Sequence, residues 1–153
     1  MKQDIPNFHV RDFQRKKLYR AEESCSFFPN WIVELTPEAA NFYINSISAW
    51  GKIKEPTLYT EHISTPHGIR QRLAKQMAYA TPEYIAIPSN LLSKLPYICH
   101  EMSHVINYQT GPADHHGPNF ASIYLKMIRN YLGSPEYTEL KEAFNLHKVK
   151  YNV

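Results

Sequence analysis

The sequence predicts an α+β domain in which a small antiparallel sheet of three strands is covered by helices. Three observations carry that prediction. Thr36-Pro37-Glu38 and Ser134-Pro135-Glu136 repeat a cap-Pro-Glu pattern that opens helices. Residues 57–88 break into short extended runs separated by turn residues. Leu91, Leu95, Ile98, Met102 and Val105 recur at four- and three-residue steps, the period of a helix with one buried stripe.

The first helix is expected over 12–24, with Asp12 as N-cap and Phe13, Lys17, Arg20 and Ser24 at helical spacing. A loop at 26–30 follows. Thr36 caps the second helix, which runs through Ala39, Phe42, Tyr43, Ile47 and Trp50 and stops at Gly51. Strands are expected at 58–63, 70–79 and 84–87, with turns at 65–68 and 81–83; such short connections make an antiparallel meander. The buried stripe defines a helix over roughly 90–108. Pro118 opens the next, over 118–132, and the last runs from Ser134 to about His147. Residues 148–153 alternate like a short strand.

The composition bounds the rest. A chain of 153 residues with 43% apolar side chains suits a single domain, 1–153, and its 13% aromatics exclude a disordered class. No apolar run approaches the roughly 18 residues of a membrane span. The start, MKQDIPNFHVRDFQ, lacks the apolar stretch of a secretory signal, so the cytoplasm is the expected location. Cys25 and Cys99 form neither a disulfide framework nor a four-cysteine zinc site.

Four of the eight histidines, His100, His104, His115 and His116, fall within one short stretch. His100-Glu101-Met102-Ser103-His104 is an HExxH pattern on an expected helix. The two histidines lie one turn apart, so both imidazoles leave the same face and can hold one Zn²⁺. Glu101 is rotated by about 100°, off the ligand positions yet near enough to act as general base on a metal-bound water. Met102 belongs to the buried stripe. HExxH alone arises by chance in about one chain of this length in fifty; the amphipathic helix and downstream histidines make coincidence about tenfold rarer.

A hydrolytic zinc site needs a third protein ligand. The pattern HExxHxxGxxH is excluded, because Asn107 and Thr110 stand where it requires Gly and His. A downstream Glu is also absent before Glu136. The remaining candidates precede the 118–132 helix: His116, with His115 as the alternative.

HEMSH, a short loop, then His116-Gly117-Pro118-Asn119-Phe120 and a helix resembles the SprT/Spartan-type metallopeptidase domain. The likeness extends to a small HExxH putative metallohydrolase family of bacteria and their phages. It rests further on Leu18-Tyr19-Arg20-Ala21-Glu22, on Ile85-Ala86-Ile87-Pro88, and on Leu140, Ala143, Phe144 and Val149, with the core of the match at 84–133. The resemblance implies a zincin-like fold and one Zn²⁺ per chain on His100, His104 and His116. It also implies Glu101 as catalytic base, a protein or peptide substrate, and host cytoplasm as the location if the chain is phage-encoded. The C-terminal four-cysteine ribbon common in bacterial SprT-like chains is not present, so the DNA targeting it provides is not implied.

Gln76, Met77, Ala78, Tyr79 and Ala80 form a candidate edge strand that could align an extended substrate; ordinary sheet packing explains them equally. Arg11, Arg15, Lys16, Lys17 and Arg20, and separately Arg70, Arg72 and Lys75, form basic clusters near Tyr19 and Tyr79. Nucleic acid is a possible partner for these, but the net charge of +3 and the interspersed Asp12, Glu22 and Glu23 favour a solvated helix face. His62 and His67 read as surface residues, and Cys99 as a small core residue. The leading expectation is a zinc metallopeptidase. The alternatives are a zinc-stapled domain that binds nucleic acid or a partner protein without catalysis, as a phage or host regulator or inhibitor would, and a regulatory peptidase that cleaves a repressor.

Overall fold

The structure, a computed structural model, describes residues 12–61 and 65–152. His62, Arg11 and the end of the expected first strand lie outside the described residues. The architecture is α+β, with seven helices and a three-stranded sheet among the described residues.

The helices with local start signals form where the sequence places them. In α2 (Pro37–Trp50), Thr36 Oγ1 accepts the Ala39 N–H at 3.1 Å. Gly51 ends it, and Ile106 packs so close there that an added Cβ would stand 2.6 Å from Ile106 Cδ1. α6 (Pro118–Tyr131) begins at its proline and α7 (Ser134–Leu146) one residue before Pro135, as expected. The first helix, α1 (Arg15–Ser24), starts three residues later than expected, and Asp12 is not its cap. Gln14 takes that position with no side-chain cap bond; instead its amide reaches the backbone of His116 and Lys150.

The single helix expected over 90–108 is two: α4 (Ser89–Leu92) and α5 (Leu95–Thr110). Pro96 is the reason. Proline has no N–H to give and clashes with the preceding turn, so a helix can restart at it but not run through it. The buried stripe survives this break, with Leu95, Ile98, Met102 and Val105 all at 5% exposure or less.

The sheet departs most from expectation. β1 (Thr57–Tyr59) pairs parallel with β3 (Tyr84–Ala86), and β2 (Tyr79–Ala80) pairs antiparallel with β3, giving the order β1-β3-β2. The meander is therefore wrong. The end of the expected turn at 65–68 and the first half of the expected strand at 70–79 are instead the helix α3 (His67–Ala74). Arg70, Gln71, Arg72, Leu73 and Ala74 are strong helix formers, and Ile69 and Leu73 share a face at four-residue spacing. With a helix in that connection, the chain returns to the far side of β3. Residues 148–152 form no strand either. Both backbone groups of Lys150 pair with the Gln14 side chain, and both of Asn152 with Ser122 Oγ.

Helices α1, α2, α5, α6 and α7 enclose one core, whose largest fully buried side chains include Tyr124, Phe120 and Phe144. No helix among the described residues is long and apolar enough to cross a membrane.

Candidate metal centre

α5 carries His100, Glu101 and His104 at 6–7% exposure on its buried side. The third histidine comes from the turn into α6. Asp114 builds that turn: its carboxylate accepts the N–H groups of Asn119 and Phe120 at 2.8 and 3.2 Å, and the Asn107 amide of α5 at 2.9 Å. Gly117 has to be glycine here, since a Cβ would fall 2.5 Å from Asp114 Oδ2. The turn thus sets its last residue, His116, against α5.

His100, His104 and His116 are the one group among the described residues with ligand atoms close enough for a metal ion, all within 4.8 Å of one another. His115 is not in it; it sits at φ 59 on the rim of the cleft. His104 Nε2 and His116 Nε2 are 3.1 Å apart, near the roughly 3.3 Å of two imidazole nitrogens on a tetrahedral zinc ion. Phe120 packs under all three rings, with centroids 4.3–5.2 Å away.

Two carboxylates set the imidazoles. Glu22 Oε2 lies 2.6 Å from His100 Nδ1 and also accepts the Tyr124 hydroxyl at 2.6 Å. Asp12 Oδ2 lies 2.8 Å from His116 Nδ1. A carboxylate only accepts, so both Nδ1 atoms carry a proton. His116, lowered by burial, presents its Nε2 lone pair, and His100 presents its own once the Nε2 proton is lost. His104 Nδ1 is buried and has no such partner. Burial disfavours charge on His100, yet the Glu22 carboxylate outweighs it and raises the imidazole to about 9, so metal binding there must displace a proton. Burial, then the neighbouring histidines, hold His104 well below its ordinary value, and burial also lowers His116 despite Asp12.

Glu101 is 6% exposed, and its Oε1 has no hydrogen-bond partner. Burial raises its carboxyl to about 7, with His100 pulling down and Glu22 pushing up. A buried carboxylate with an unsatisfied oxygen lies beside three imidazoles whose ligand atoms are within 4.8 Å of one another. Imidazoles at this spacing suit a borderline cation once His100 gives up its extra proton. The donor set therefore fits a metal ion.

The site opens on a cleft. A polar cavity of about 220 Å³ is walled by the three histidines, Glu101, Tyr19 and β2. A second, more apolar cavity of about 550 Å³ shares Tyr19, Ala78, His100 and Glu101 and continues to Phe28, Leu91 and Tyr97. Of the candidate strand 76–80, only Tyr79 and Ala80 are strand; Ala78 to Ala80 line the cleft, and Gln76 and Met77 are exposed outside it. Lys16, Lys17, Arg20, Arg70, Arg72 and Lys75 are exposed, and Arg15 reaches the cleft. His67 begins α3 away from the histidine group, and Cys99 is fully buried.

Three residues of the site were not singled out as such from sequence: Glu22, Asp12 and Tyr19. Glu22 did leave a signal, an acid four residues after Leu18 on the face of α1 that also buries Ala21 and Cys25. Asp12 left none.

Comparison with protein-family models, curated proteins and solved structures returns no match for this chain.

Proposed function

We propose that the chain is a zinc-dependent hydrolase, a cytoplasmic peptidase of the SprT-like, zincin kind. The observation that carries this reading is Glu101 Oε1, buried and unpartnered, next to three imidazoles within metal-holding distance at an open cleft. His100, His104 and His116 would hold the ion. Bound zinc supplies Lewis-acid polarisation of a carbonyl and lowers the pKa of water to about 7. Glu101 accepts the proton of the attacking water at Oε1 and returns it to the leaving amine nitrogen. Glu22 and Asp12 keep His100 and His116 in the tautomer that presents Nε2.

The free edge of β2 supports a peptide as substrate. Thr81 N–H donates to Tyr84 O, which makes Thr81–Tyr84 a hydrogen-bonded pair and leaves the Ala80 N–H and C=O pointing away from β3. An extended chain can add there as a further strand. The open cleft favours this over a closed metal staple, and the two free, buried thiols suit a reducing compartment.

The test is metal content followed by turnover. One zinc per wild-type chain and none in His100→Ala is expected, while Glu101→Gln keeps zinc and loses peptide hydrolysis. A wild type without zinc, or equal turnover by Glu101→Gln, would overturn the reading.

A further inference from the structure

We propose that Tyr19 is a further catalytic residue, its hydroxyl donating a hydrogen bond to the carbonyl oxygen of the scissile peptide as negative charge builds there. The assignment rests on the hydrolase reading above.

Tyr19 sits on α1, three residues before the carboxylate that orients His100. Its ring stacks on His100 at 6.0 Å and meets the edge of His116 at 5.0 Å. The residue is 42% exposed, and its hydroxyl lies 3.3 Å from His116 Nε2. That contact cannot persist in a loaded site. His116 Nδ1–H donates to Asp12, so Nε2 offers the lone pair. A metal ion uses the same lone pair, and the Tyr19 hydroxyl is then a donor beside the ion without an acceptor. A substrate carbonyl oxygen drawn to the ion supplies one. Two other hydroxyls nearby are engaged, Tyr79 with Tyr84 at 3.3 Å and Tyr124 with Glu22 at 2.6 Å. Tyr108 also lines the cleft, stacked on His104, but it is Tyr19 whose hydroxyl meets a ligand nitrogen. Tyr19 also belongs to the wall of both cavities that meet at His100 and Glu101.

In the step, the water oxygen bonds to the carbonyl carbon, and the C=O π pair moves onto the carbonyl oxygen. The water proton goes to Glu101. Tyr19 keeps its own proton and stabilises the oxyanion, as preorganised donors do in acyl transfer. The C–N bond then breaks, its electron pair stays on nitrogen, and that nitrogen takes the proton from Glu101.

The experiment compares zinc-loaded wild type, Tyr19→Phe and Glu101→Gln on a quenched-fluorescence peptide mixture. Calorimetry with a phosphinic Phe–Leu pseudo-dipeptide, a tetrahedral anion, runs beside it. Tyr19→Phe should lower kcat roughly 100-fold with KM unchanged, and bind the phosphinic compound at least about tenfold more weakly. Its zinc stoichiometry and affinity should match wild type, which also establishes that it folds. Equal kcat, or equal phosphinate affinity, would overturn the assignment. So would weakened zinc binding together with a phenolate-to-metal charge-transfer band in copper-substituted wild type, which would make Tyr19 a ligand. Wild type with no Glu101-dependent hydrolysis defeats the hydrolase reading and this one together; an active wild type matched by Tyr19→Phe defeats this one alone.

Discussion

The two walls of the cleft are made of different material. On the helical wall, His100 and His116 are each held by a buried or half-buried carboxylate, and the loop between α5 and α6 is tied down by Asp114. On the sheet wall, β2 is two residues long, half-buried, and paired on one side alone. The first wall presents side chains whose positions are over-determined; the second presents backbone groups that an incoming chain can still pair. Rigidity is placed where a cation needs fixed geometry, and unsatisfied edge where a flexible peptide would bind.

Removing a ligand should break the helical wall outright. His116→Ala is expected to abolish zinc binding, and His115→Ala to leave one zinc per chain; metal analysis after dialysis separates them. Loss of zinc in His115→Ala instead would move the third ligand by one residue. A smaller effect tests the carboxylates. Glu22→Gln and Asp12→Asn should each weaken zinc affinity by about 10- to 100-fold in chelator competition, because an amide can no longer enforce the Nδ1–H tautomer. His104, which lacks such a partner, makes the comparison sharper: equal sensitivity at all three histidines to changes beyond the ligands would contradict it. The sheet wall should respond in binding and not in metal. Ala80→Pro removes an outward N–H at an edge position that proline tolerates. Peptide kcat/KM should fall about tenfold, the scale of one lost hydrogen bond, at unchanged zinc content. A fall in zinc content would mean that β2 helps to build the centre.

Much of the helical wall is legible in the sequence. The starts of α2, α6 and α7 follow from capping residues and prolines within one turn, and the HExxH face of α5 from i, i+4 spacing; these are local signals. The site's ligand set, with His116 left beside His115, could be narrowed to neighbours because the α6 start at Pro118 is local as well. The segment 65–80 misled, although Arg70 to Ala74 are helix formers, because the turn residues before it suggested a hairpin. The parallel pairing of β1 with β3 depends on that connection being helical.

What the sequence by itself determined was therefore the helices, their buried stripe and the two histidines with a carboxylate between them. The tertiary structure alone decided which carboxylates orient them and where the cleft lies. Glu22 meets His100 across 78 residues and Asp12 meets His116 across 104. Helix caps and ligand spacing are consequences of bond geometry over a few residues, whereas a buried carboxylate finds its histidine only after α1 docks against α5 and α6. Asp12 looked like a helix cap because an isolated aspartate before a helix has no nearer use for its oxygens; folding brought it an imidazole.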